Sequence, residues 1–224
     1  MSTIMKRFAV GGAVAVYLAL AVAAGAQTRA TATPQKEVRR AAVEEMRAKF
    51  EAAKKEAQTK MQAARTDFQA KLKQIKDGKK QQAADNLYER LGMLNAKWAE
   101  HFGNVLEKYD ATLKKVESRR DKAQTAGRDV AVVNAAFQAA TAMIESARAA
   151  VEAQTKKTYS VAVTTEAKLR EAFQAAHKAL KTDLMALRDG AMRSAREAVQ
   201  KAIQSLRAIP NVDSARTTAT SSQQ

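Results

Sequence analysis

Apolar residues recur at spacings of three and four along most of this chain, which is the pattern of amphipathic α-helices. The longest stripe lies between Gln81 and Ala126 and includes the only Trp of the chain. Its positions are Leu87, Leu91, Leu94, Trp98, Phe102, Val105, Tyr109, Leu113 and Val116. A helix of this length with one polar and one apolar face needs other helices to cover it. We therefore interpret residues 81–126 as the central helix and its Trp and Tyr side chains as packing anchors.

A second bundle helix is predicted over residues 130–156, where the heptad pattern is the most regular in the chain. Gly127 is a natural residue to follow the end of the central helix, and Asp129 can cap the start of the next one. A tight turn between two helices makes them antiparallel neighbours. Residues 81–126 and 130–156 should therefore pack side by side.

A third bundle helix is predicted over residues 166–207, with Thr165 as its N-cap and a possible kink at Asp189-Gly190. Residues 158–165 before it are β-branched and alternating, which favours an extended conformation. Such a segment can be a solvated connector, can pair with another chain or can be absorbed into a helix. Lengths favour the connector, because an extended piece lets the shorter second helix match the length of the third.

Residues 35–80 form a further amphipathic helix, which we interpret as a basic N-terminal arm. Asp77-Gly78 is either a turn that folds the arm back on the central helix or a glycine within a continuous rod, and the interrupted stripe favours the turn slightly. This junction carries the densest basic patch of the chain. Its candidate residues for binding a polyanion or a partner are Lys71, Lys73, Lys76, Lys79 and Lys80.

The N-terminus has the pattern of a secretory signal peptide over residues 1–26, with two basic residues, an apolar run and small residues before Gln27. The alternative is an uncleaved membrane anchor, since residues 8–26 carry no charge and approach spanning length. Either way we expect the rest of the chain to lie outside the cytoplasm, in the periplasm or beyond. Residues 27–34 should be a linker, and residues 209–224, rich in Ser, Thr and Gln, a disordered tail.

The charge and composition of the chain limit the partners and the types of site that it can have. The formal net charge of +16 favours anionic partners such as nucleic acid, lipid headgroups, envelope polymers or acidic proteins. Cysteine is absent, which excludes disulfides and thiolate chemistry. His101 and His177 lie in different predicted helices without carboxylates at metal-binding spacing, and no motif of nucleophilic catalysis or phosphate binding occurs. We therefore predict no catalytic, cofactor or metal site.

Several helix-boundary motifs resemble those of uncharacterised, signal-bearing, Ala-rich helical proteins of bacteria over roughly residues 85–205. These motifs are residues 118–123 (SRRDKA), 127–130 (GRDV) and 150–154 (AVEAQ), followed by 157–159 (KTY). The resemblance implies architecture and no activity. A weaker likeness is to the Skp-type periplasmic chaperones, which are basic, signal-bearing and long-helical. Short strands trimerise those proteins, whereas here the one strand-like segment, 158–165, lies late between helices.

These observations predict an all-α protein: an elongated antiparallel three-helix bundle over residues 81–208 with an additional long N-terminal helical arm. The leading functional hypothesis is an exported, non-enzymatic interaction or structural protein of the bacterial envelope that acts through helix–helix contacts with a protein partner or itself. One alternative is a Skp-like holdase. Another is non-specific electrostatic binding of anionic polymers. Membrane association is expected only if the signal segment is uncleaved.

Overall fold

The computed structural model describes residues 32–163 and 165–210. The predicted signal segment 1–26 and residues 211–224 of the predicted tail lie outside the described residues. Described residues 32–40 and 41–210 belong to two different compact units, and the contacts discussed below belong to the second. The described part is helical without strands, so the all-α prediction is confirmed. Its helices are α1 (Ala32–Leu72), α2 (Gly78–Thr125), α3 (Ala131–Thr155), α4 (Leu169–Leu187) and α5 (Arg193–Arg207). Each described helix is too short or too polar to cross a membrane.

A turn over residues 73–77 separates α1 from α2, as the first of the two alternatives for this junction predicts. Asp77 caps α2: its Oδ1 accepts hydrogen bonds from the backbone N–H groups of Lys79 (2.9 Å) and Lys80 (3.2 Å). The helix predicted over residues 35–80 therefore ends earlier, at Leu72. It also begins earlier, at Ala32, so the predicted linker 27–34 is helical in its last residues.

Residues 41–72 of α1 pack along α2 in the antiparallel direction, as expected if a turn at Asp77-Gly78 folds the arm back on the central helix. Phe68 is buried, and its ring stacks on that of Tyr88 with centroids 4.4 Å apart. Farther along α1, Met61 fills a notch in α2 at Gly92, where a Cβ atom would lie 2.4 Å from the methionine sulfur. Glycine thus gives a large side chain of α1 room against the backbone of α2.

The turn between α2 and α3 has the predicted geometry. Gly127 adopts a φ of 73°, and the backbone N–H groups of Gly127 and Arg128 donate to the carbonyl oxygens of Gln124 and Ala123, both at 3.0 Å. This pair of hydrogen bonds is the Schellman motif, which terminates a helix at a left-handed residue. Asp129 accepts a hydrogen bond from the N–H of Ala131 at 2.9 Å and so helps to start α3.

Two hydrophobic clusters hold the helices together. One joins α2, α3 and α5 through side chains such as Leu113, Ile144 and Val199. The other joins α1, the start of α2, the connector after α3, and α4. Residues 41–72 of α1 thus share hydrophobic contacts with α2 and α4, in addition to the packing of α2, α3 and α5 on one another.

The connector after α3 has no regular secondary structure over residues 157–163, which confirms the connector alternative for this described stretch. Val161 is buried between α2 and α4, with Tyr159 and Val163 packed beside it, whereas Ser160 and Ala162 are exposed. Glu166 pairs with Lys80 at the start of α2. The connector therefore brings α4 to the start of α2.

A π-helical turn, Arg188–Met192, joins α4 to α5 at the kink predicted for Asp189-Gly190. Successive buried residues of α4 and α5 are three, four or seven positions apart, as on one face of a regular α-helix, except that five separate Leu187 from Met192. The wider π turn absorbs this extra residue, so the buried faces of both helices stay on the bundle. Thr165 is the N-cap residue, as predicted, and its carbonyl oxygen accepts a hydrogen bond from the N–H of Lys168, but its side chain makes no capping hydrogen bond and the helix starts with a 3₁₀ turn, Glu166–Lys168.

Candidate functional site

Trp98 is 41% exposed, so the interpretation of this residue as a core anchor is wrong. Leu87, from the same predicted stripe, is 48% exposed. The buried face of α2 is centred instead on Tyr88, Asn95 and Leu106. Hydropathy misplaced this face because small and polar residues occupy part of it. Large apolar side chains beside this buried face, such as Trp98 and Leu87, therefore lie at the surface.

Trp98 borders an open apolar groove between α2 and α4, which we call the Trp98 groove. Its volume is about 220 Å³. From α2 it is lined by Leu94, Trp98 and Phe102, and from α4 by His177, Leu180, Lys181, Leu184, Met185 and, in the π turn, Arg188. The rings of Trp98 and Phe102 lie 5.7 Å apart between centroids, so the aromatic floor is continuous. Met185 on the opposite wall is 42% exposed.

The charged side chains that line the groove are cationic. Lys181 is exposed and has no carboxylate within ion-pair distance in the described part of the chain. Arg188 hydrogen-bonds to Asp189 at 2.8 and 2.9 Å, and this contact lowers the pKa of that carboxyl group. On the α2 side, His101 is exposed and stands edge-on to Trp98, with ring centroids 5.6 Å apart. The groove therefore combines an apolar floor with a basic rim.

A buried polar network holds the connector against α2 and α4. The Asn95 amide donates to the carbonyl oxygens of Gln154 (3.2 Å) and Lys157 (3.1 Å), and its own oxygen accepts from the Gln154 side chain (2.8 Å). Gln154 also donates to the Tyr159 hydroxyl, which donates to Asp183 of α4 at 2.7 Å. Burial and the bond to Asp183 raise the pKa of Tyr159. The network joins the end of α3 to α4 and so fixes one wall of the groove.

The five predicted lysines lie together at the turn between α1 and α2, and all are exposed. Lys80 is engaged by Glu166 and lies 3.8 Å from Asp77. The other four have no carboxylate partner among the described residues: Lys71, Lys73, Lys76 and Lys79. The structure thus brings the predicted patch together as an exposed, positively charged surface.

Sequence reasoning missed the Trp98 groove, although the chain carries a signal for it. Arg170, His177, Lys181 and Arg188 recur at spacings of seven, four and seven, which places them along one side of the last helix. A row of basic residues beside an apolar stripe indicates a surface with an apolar centre and a positively charged edge. It was not recognised because the Trp-bearing stripe of α2 was assigned to the core.

The described residues contain no cluster of side chains suited to binding a metal ion. His101 and His177 are both exposed, as predicted, and no group of three or more potential metal ligands occurs there. No family model, curated protein or solved structure matches this chain, so the resemblances given above stay predictions.

Proposed function

We propose that this protein is an exported, non-enzymatic interaction protein of the bacterial envelope that binds an acidic amphipathic helix of a partner protein in the Trp98 groove. The observation that carries the proposal is a half-exposed tryptophan on an apolar floor whose charged lining is cationic. Export is supported by the signal-peptide pattern of residues 1–26.

A helix suits the shape of this surface. The groove runs between two neighbouring helices, and an amphipathic helix binds such grooves by placing side chains at positions i, i+3, i+4 and i+7 into them. A cavity of about 220 Å³ holds a few large apolar side chains rather than a whole cofactor. Trp98 is then the expected energetic centre, since tryptophan is enriched among residues that dominate binding energy.

The rim charges favour an acidic partner over a second copy of this chain. In a symmetric dimer the same patch meets itself, so Lys181 and Arg188 of one copy would face the same basic row of the other. Juxtaposed like charges disfavour such a contact. A helix with Glu or Asp beside its apolar stripe meets the rim with opposite charge and is also steered towards it by the positive net charge of the chain.

The proposal can be tested with two dye-labelled peptides that share a Leu-rich helical face but carry either Glu or Lys beside it. Fluorescence anisotropy should show binding of the Glu peptide only. The double variant Lys181→Glu/Arg188→Glu should weaken it by at least about tenfold, or roughly 1.4 kcal/mol. A matched control with the same change of charge is Lys114→Glu/Lys115→Glu, whose residues are exposed on α2 outside the groove, and it should bind as wild type does.

Failure of both peptides to bind, or equal loss in the two double variants, would contradict the proposal. Equal binding of the Glu and Lys peptides that depends on Trp98 would show a groove selective for apolar side chains alone. That outcome fits the holdase alternative, which should also suppress aggregation of an unfolded client.

A second candidate function, binding of anionic polymers, is favoured by the four unpaired lysines at the turn between α1 and α2. Their contribution should appear as affinity for duplex DNA that falls steeply with salt. If all four are changed to Gln, the number of phosphate contacts calculated from the salt dependence of the affinity should fall by about four at most. An unchanged slope and affinity would remove this candidate. The variant changes Lys71, Lys73, Lys76 and Lys79.

A further inference from the structure

Two adjoining cavities lie between residues 46–61 of α1 and the helices beneath. The larger has a volume of about 410 Å³ and reaches from Phe50 to the connector at Tyr159. The smaller, about 380 Å³, extends from Phe50 towards Arg148 and Val151 of α3. Both are bordered by Phe50, Glu51, Lys54 and Glu100, so they form one cleft that is divided by the Phe50 ring.

The wall of the larger cavity offers a ligand mainly apolar contact. Its apolar members are Phe50, Ala57, Met61, Tyr88, Ala96 and Ala99. The polar side chains deep in it already have partners: Asn95 bonds to residues 154 and 157, Thr155 to the carbonyl oxygen of Val151, and Tyr159 to Asp183. No buried side-chain nitrogen or oxygen in the described residues lacks a hydrogen bond. The buried part of the wall therefore gives water few partners and favours an apolar occupant, whereas the exposed lining residues Glu51, Gln58, Glu100 and Thr158 form its polar edge.

Contacts between α1 and α2 lie at both ends of the larger cavity. Towards the end of α1, Arg65 bonds to Asp85 at 2.8 and 3.1 Å. On the other side, the Phe50 ring rests over Gly103 of α2, where a Cβ atom would lie 3.4 Å away. These contacts hold α1 off α2 between them, where both helices carry small residues. The cavity thus follows from fixed contacts at its two ends.

We propose that the larger cavity binds a linear hydrocarbon chain, either a free fatty acid or the acyl chain of a single-chain lipid, with an anionic head beside Lys55. Lys54 next to it is already paired with Glu51 at 3.1 Å. An apolar cavity of about 150 Å³ already holds a benzene-sized molecule, so this one has room for an extended chain. Filling it restores the van der Waals contacts that the wall side chains lack. Lys55 has no carboxylate partner in the described part of the chain. The proposal is independent of the Trp98 groove.

The test is calorimetric titration of the full chain with dodecanoate below its micellar concentration. Saturable binding of one molecule per chain is expected, together with a raised melting temperature. Ala57→Phe and Ala96→Phe fill the cavity from α1 and from α2, respectively, and each should weaken binding by at least about tenfold. Ala111→Phe is the matched control: it adds the same ring to an exposed position of α2 outside the cavity and should bind dodecanoate as wild type does.

Two further titrations identify the kind of molecule that the cavity binds. Lysophosphatidylglycerol presents an acyl chain on a lipid headgroup, so tighter binding of one of the two probes distinguishes a fatty acid from a lipid. Dodecylamine carries the same chain with a cationic head and should bind more weakly than dodecanoate. Trp98→Ala should leave dodecanoate binding unchanged, which separates this cavity from the Trp98 groove.

Circular dichroism shows whether each variant folds, and filling the cavity from two different helices leaves one variant to test if the other fails. Absence of saturable binding would overturn the proposal. Full dodecanoate affinity in a folded Ala57→Phe or Ala96→Phe variant would do the same. Loss of binding in Trp98→Ala with retention in the cavity variants would place the ligand in the groove instead.

Discussion

The π turn between α4 and α5 leads to a prediction about deletions. Five positions separate the buried residues Leu187 and Met192, whereas the other neighbouring buried residues of these two helices are three, four or seven positions apart, as on one face of a regular α-helix. Deletion of Gly190 reduces this spacing to four, which a regular α-helix accommodates. We therefore expect the variant to keep both buried faces on the bundle and to lose only the π turn.

The magnitude follows from the residues involved. Gly190 is exposed and has no atom near the position of a Cβ, so packing does not require it. Glycine within a helix is destabilising by about 1 kcal/mol relative to alanine, so its removal should leave the free energy of unfolding unchanged or raise it by up to about 1 kcal/mol. The matched control is deletion of Gln200, which lies in α5 away from the π turn.

Deletion of Gln200 should rotate the following residues by about 100° and turn Leu206, now 5% exposed, away from the bundle. Loss of that burial alone destabilises by about 1.5–3 kcal/mol. Urea unfolding followed by far-ultraviolet circular dichroism measures both variants. If deletion of Gly190 destabilises as much as deletion of Gln200, the π turn is not an accommodation of one extra residue and the reasoning is refuted.

Three other predictions concern stability. Asn95→Ala leaves Gln154 and two backbone carbonyl groups without their partner and should destabilise by about 2–4 kcal/mol in urea unfolding, whereas the exposed Asn86→Ala should change little. Gly127→Ala forces a side chain into a left-handed conformation and should lower the free energy of unfolding by about 1–2 kcal/mol. Because the folded pKa of Tyr159 is raised above its ordinary value of 10.0, the folded state holds that proton more tightly, and stability should fall as pH rises above 10.0. Tyr159→Phe should flatten this alkaline loss, and a parallel loss in both proteins would contradict the assignment.

The presence of the helices and the turn at Gly127 could be predicted because local chemistry determines them, whereas the first helix ends at Leu72 rather than at residue 80. Gly127 terminates α2 through a conformation that few other residues adopt, and Asp77 and Asp129 supply acceptors for helix starts. The irregular turn at Arg188–Met192 coincides with the kink that Asp189-Gly190 predicts. These features depend on near neighbours in the chain, which a sequence displays directly.

The packing of α1 and the exposure of Trp98 could not be predicted in the same way. Gly92 receives Met61 of a different helix, and hydropathy gives a glycine no sign of such a role. Asn95 lies on the buried face because distant carbonyl groups satisfy its amide. Each of these features depends on residues far apart in the chain, so the pattern of a single helix extended the core to Leu87 and Trp98, although Leu91, Phe102, Leu113 and Val116 of the same stripe are buried.

Site-specific photo-crosslinking tests binding in the Trp98 groove most directly. A photoreactive amino acid would replace Met185 in the groove or, as a control, Met143 on α3, since these methionines are 42% and 40% exposed. In a bacterial envelope extract, the probe at position 185 should yield a discrete crosslinked protein that disappears in Lys181→Glu/Arg188→Glu. The probe at position 143 should yield none. Equal crosslinking at both positions, or a product at position 185 that persists in the charge-reversed variant, would contradict the proposed function.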